Sequence, residues 1–145
     1  SHYWHERDKG RETLGFEAAI DAEPARIDAD HGRLASGELE TSAAHQHFSY
    51  LARGRYAEQL ERWLTLFPRE QLRVLRFEDL VRDPLGVLND TLGFLGLPPA
   101  GSVRLEARNT RRYPPMAEAT ASRLRQYFAP HNARLEALLG RSMDW

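Results

Sequence analysis

Apolar positions recur at helical spacing over most of the chain, and the pattern is sharpest after Gly54. Tyr56, Leu60, Trp63, Leu64 and Phe67 fall on one face, and Pro68 cannot continue the run. That face predicts a helix in which Tyr56 and Trp63 serve as core. Asp83 followed by Pro84 is a helix start, Leu85, Leu88, Leu92 and Leu95 mark the buried stripe, and Gly96 and Pro98 close it. Residues 116–128 and 132–139 each carry a helical pattern, separated by Pro130 and ended by Gly140. Near the beginning, an apolar stripe over residues 16–20 continues to Ile27, interrupted by Pro24. Residues 28–42 are polar and contain Gly, so a surface loop is expected there.

Residues 72–77, Leu-Arg-Val-Leu-Arg-Phe, read differently. They are short, β-prone and bounded by polar residues, which predicts a strand with Glu78 and Asp79 at its carboxyl end. One strand cannot form a sheet. Its partners are expected outside these residues, and the strand-then-helix order points to an α/β fold with a parallel sheet. The opening Ser1-His2-Tyr3-Trp4-His5-Glu6 lacks an initiator Met and reads as the interior of a helix, so the chain is expected to be a fragment.

Composition narrows the function classes. The 145 residues are 41% hydrophobic and 28% charged, a globular balance, with a formal net charge of -1. No overall basic field favours nucleic acid or anionic lipid, so neither is expected as a partner and any anion site must be local. All but one of the 20 Lys and Arg residues are Arg, the exception being Lys9, and Ala and Arg usage suggests a bacterial source. The absence of Cys removes a disulfide framework and thiolate metal ligands and fits a reducing, cytoplasmic setting. No apolar run has membrane-spanning length. His45 and His47 flank Gln46 without a spaced third ligand, and His2 and His5 do not form a metalloprotease pair, so no metal is expected. Neither a G-x-x-x-x-G-K-[ST] loop nor a G-x-G-x-x-G fingerprint is present.

Several stretches, in order, resemble one family. Ser1-His2-Tyr3 resembles the tail of the sulfotransferase 3′-phosphate motif. Tyr50-Leu51-Ala52-Arg53-Gly54-Arg55-Tyr56, running on to Phe67-Pro68, resembles the helix before the family's last core strand. Val74-Leu75-Arg76-Phe77-Glu78-Asp79-Leu80 with Asp83-Pro84 is similar to the following strand-to-helix segment. Asn109-Thr110-Arg111-Arg112-Tyr113-Pro114 is placed like the Lys-Gly-Arg loop of heparan sulfate sulfotransferases, with Asn109 and Thr110 where that loop has Lys and Gly. Residues 135–145 resemble the tail of the same enzymes.

The resemblance implies a bacterial-type sulfotransferase that takes a sulfuryl group from 3′-phosphoadenosine 5′-phosphosulfate to a hydroxyl or amine acceptor. It implies a P-loop-like three-layer fold with a parallel sheet, of which this mainly helical chain is the C-terminal half. The half that binds the 5′-phosphosulfate and carries the catalytic base is missing, so the fragment alone is expected to be inactive. The residues carried over to the donor site are Ser1, Arg111, Arg112 and Tyr113 for the 3′-phosphate and Phe77 for the adenine. A hydroxyl and two guanidinium forks suit a phosphate, and a ring at the end of a strand can stack on a purine or simply pack in the core. The catalytic residue is not identified, although His45 or His47 could line the acceptor site. Small-molecule and carbohydrate acceptors both stay open. The competing reading is a non-catalytic helical scaffold whose faces bind a protein partner.

Overall fold

The computed structural model describes residues 1–104, 106 and 112–145. Among them are the α-helices α1 (His2–Asp8), α2 (Phe16–Ala35), α3 (Ala43–Phe48), α4 (Tyr56–Leu64), α5 (Phe77–Arg82), α6 (Pro84–Phe94) and α7 (Glu118–Leu139). Two 3₁₀ turns, Ala52–Gly54 and Arg69–Gln71, precede α4 and the extended stretch 72–76. Helix α2 packs on α3, α4 on α7, and α5 on α6.

The predicted strand is the main correction. Among the described residues no β-strand is present. Leu72 and Arg76 do hold extended backbone angles, as their β-prone sequence requires, but no neighbouring strand supplies a hydrogen-bond ladder. Phe77 is the first residue of α5 rather than the end of a strand, and Glu78 and Asp79 occupy that helix's first turn.

Two internal prolines also behave differently from expectation. Pro24 and Pro130 each lie inside an unbroken helix, so residues 28–35 are helical and the two expected C-terminal helices are one. A proline in a helix interior removes one backbone hydrogen bond and costs about 3 kcal/mol. Tertiary anchors on both sides offset that cost. In α2 the stripe Ala19, Ile20, Glu23 and Ile27 is buried through the proline. In α7, Thr120 donates to Glu17 and Arg123 to Asp21 on α2, while Arg134 beyond Pro130 forks onto Glu61 of α4.

Local signals hold where they act within a few residues. Asp83 accepts the Gly86 N–H at 2.9 Å and Pro84 opens α6. Gly96 at φ 70° turns the chain after α6, with the Leu97 N–H donating to the Leu92 carbonyl. The core is divided. One part holds the buried Tyr3, its ring edge-on to Phe16 and Tyr50. The other joins Ala57, Leu135 and Met143, with Leu60 and Leu139 against them. Tyr56 and Trp63 are 51% and 54% exposed, so the core expected around them is not there. They instead line an open groove of about 1230 Å³ between α4, α7 and residues 74–78.

Candidate functional site

Ser1 is the N-cap of α1, and its carbonyl accepts the His5 N–H. Its side chain makes no capping hydrogen bond, which leaves an exposed hydroxyl at the helix start. Trp4, one turn on, stacks on Tyr113 with planes 11° apart and centroids 5.9 Å apart. That contact brings the segment carrying exposed Arg112 and Tyr113 to the helix that begins at Ser1. Arg111 lies outside the described residues.

Beneath α1, three buried carboxylates fix the chain from residue 47 to residue 52. Glu6 receives Arg11 at 3.1 Å and lies 3.1 Å from Nδ1 of His47. Burial opposes its ionisation, but the Arg11 guanidinium and the His47 imidazole outweigh burial and hold its carboxyl below the usual range. Glu12 accepts from Arg26 at 2.6 Å, from the Tyr50 hydroxyl at 2.7 Å and from the Leu14 N–H at 2.8 Å. Against the effect of burial, these donors bring its carboxyl down to about 2. Burial and the Glu12 carboxylate together raise the Tyr50 phenol. Glu23 accepts the backbone N–H groups of Leu51 and Ala52 at 2.6 and 2.7 Å.

Burial, then the nearby Arg53 charge, lowers the His2 imidazole. His47, one of the two histidines considered for an acceptor site, is drawn toward Glu6, and the ring of the other, His45, stacks on His31. Among the described residues no group of three or more His, Asp or Glu is placed to hold a metal ion. No helix there is long and apolar enough to cross a membrane.

Phe77 is 72% exposed and stands between the large groove and a smaller one of about 400 Å³ against α6. The Trp4–Tyr113 contact and the carboxylate anchors were not legible in the sequence, because no spacing rule links residues so far apart.

The sequence matches the family described as the sulfotransferase domain over residues 20–130. It is 34% identical over 109 residues to the membrane-associated sulfotransferase kil1 of Dictyostelium discoideum, covering 75% of this chain and 23% of that protein. It is 29% identical over 112 residues to human heparan sulfate glucosamine 3-O-sulfotransferase 5, covering 62% of this chain and 32% of that one. A crystal structure of a sulfotransferase from Alicyclobacillus acidocaldarius superposes with a TM-score of 0.67 at 33% identity, covering 98% of this chain and 49% of that chain. The chain thus spans about half of that solved sulfotransferase and a smaller share of the two curated relatives. With a family match over most of its length and a structural match over nearly all of it, the chain belongs to the sulfotransferase domain family.

Proposed function

We propose that residues 1–145 form the C-terminal half of a sulfotransferase domain and supply the 3′-phosphate end of its donor site. The donor is 3′-phosphoadenosine 5′-phosphosulfate and the acceptor a hydroxyl or amine, with carbohydrate favoured by the names of the heparan sulfate relatives. The observation that supports the reading is the Trp4–Tyr113 stack, which joins the neighbour of Arg112 to the helix that Ser1 caps.

In the reaction the acceptor oxygen or nitrogen attacks sulfur, and the bond from sulfur to the 5′-phosphate oxygen breaks. The acceptor proton goes to a base, and 3′-phosphoadenosine 5′-phosphate leaves. Positioning anions is much of the protein's task, as in phosphoryl transfer. Ser1 donates a neutral hydrogen bond, while Arg111 and Arg112 grip phosphate oxygens with planar forks. The open groove supports the same reading. It is lined by the large, exposed apolar side chains Tyr56, Trp63, Leu75 and Trp145, and we assign that part of it to contact with the rest of the domain.

Calorimetric titration tests the donor site in the complete domain. Arg111→Ala should weaken 3′-phosphoadenosine 5′-phosphate by about tenfold, one charge-assisted hydrogen bond of about 1.5 kcal/mol. The analogue lacking the 3′-phosphate should change much less, and Arg73→Ala serves as the control for general destabilisation. Equal losses for both nucleotides would remove this loop from the donor site. Residues 1–145 alone should show no donor-dependent sulfation, and turnover by them would refute the half-domain reading.

A further inference from the structure

Residues 141–145 fold back from the end of α7 and grip the extended stretch before α5. Gly140, at φ 67°, ends α7 and reverses the chain. Glu136 then fixes the returning segment, accepting the Met143 N–H at 2.7 Å and the Ser142 hydroxyl at 3.0 Å. Met143 is 2% exposed, in the cluster with Ala57 and Leu135. From this anchored segment two guanidinium contacts run in opposite directions. Arg141 donates to the Val74 carbonyl at 2.9 Å, and Arg76 donates to Asp144 at 2.6 Å. Between them they bracket residues 74–76, which have no strand ladder among the described residues.

We propose that Asp144 is a positioning residue for the donor purine, acting through Arg76 to fix the Phe77 ring at the groove rim. This rests on the donor-site reading above and goes beyond it by giving residues 141–145 a part in nucleotide recognition. Three observations converge on it. Asp144 has φ 54°, a left-handed conformation uncommon outside glycine, in which aspartate is one of the better-tolerated residues. The Arg76 side chain is largely buried, and its Nε has no hydrogen-bond partner, so Asp144 is the group that gives its guanidinium a short hydrogen bond. Glu78 and Asp79 approach the same guanidinium only at 4.0 and 3.9 Å. The mutual effects agree in direction: the Asp144 hydrogen bond raises Arg76, and the Arg76 hydrogen bond lowers Asp144. Phe77 follows Arg76 directly, and its ring is largely exposed. A flat apolar ring whose base is fixed loses less freedom on stacking against a purine than one on a loose segment.

The test uses Asp144→Gly in the complete domain. Glycine adopts φ 54° without strain, so the fold is kept while the carboxylate is removed. Calorimetric titration compares 3′-phosphoadenosine 5′-phosphate with ribose 3,5-bisphosphate, which lacks the purine. The expected result is a loss of about fivefold for the nucleotide, a fraction of what a base–aromatic stack contributes, with the base-free ligand unchanged. Asp144→Asn, which keeps an acceptor oxygen, should recover part of the loss. In the Phe77→Ala background, Asp144→Gly should add nothing further. An equal loss for both ligands, or none for the nucleotide, overturns the positioning role while leaving the donor site standing. Failure of the unsubstituted domain to bind the nucleotide overturns both.

Discussion

Trp4 and Tyr113 stack nearly parallel, their planes 11° apart, and so join the first helix to the segment that carries Arg112. An offset aromatic pair contributes about 1 kcal/mol beyond its buried area. If that contact holds Arg112 beside Ser1, Tyr113→Ala should weaken 3′-phosphoadenosine 5′-phosphate by about fivefold, and Tyr113→Phe should not. Trp4→Ala should do the same, and the double variant should be no worse than either alone, as a coupled pair requires. Additive losses in the titrations would uncouple the rings from the phosphate.

Glu23 is buried, and its two oxygens are taken up by the Leu51 and Ala52 N–H groups. Glu23→Ala strands both donors away from water and should destabilise the protein by about 3 kcal/mol or more in urea melts. Glu23→Gln retains one acceptor oxygen and should cost less.

The pH dependence of stability is set in part by Glu12. Its carboxyl is depressed from 4.5 to about 2 in the fold, so its contribution is complete above pH 4.5 and is lost as pH falls toward 2. Stability measured by denaturation between about pH 5 and pH 2.5 should therefore fall steadily, and Glu12→Gln should flatten that slope. At neutral pH the same substitution breaks a buried pair with Arg26 and should cost about 3 kcal/mol.

Gly54 lies against α7. A Cβ there would fall 2.5 Å from Cε1 and 2.8 Å from Cζ of Phe128, far inside contact distance. Because those atoms are the outer end of a half-buried ring that can tilt, Gly54→Ala should cost about 1–2 kcal/mol rather than abolish folding. Phe128→Leu in the same chain should recover most of it in thermal melts.

Features governed by neighbours in sequence were legible from the order of residues alone. Asp83 with Pro84 starts α6, Gly96 turns the chain after it and Gly140 ends α7, because a cap or a left-handed turn is satisfied by groups within a few residues. The family was legible for the same reason, since its motifs are short runs in a fixed order. Tertiary contact decided the rest. Pro24 and Pro130 should have broken their helices by local rules, but anchors on both flanks carry the helices through. Leu72 and Arg76 are extended as the composition of their stretch asks, yet a strand exists only when a second one pairs with it, and none does among the described residues. Tyr56 and Trp63 sit at helical spacing, which defines a face but not what covers it. The Trp4–Tyr113 stack, the three buried carboxylates and the Arg76–Asp144 contact join residues far apart in the chain, and the folded backbone alone sets the distance between them.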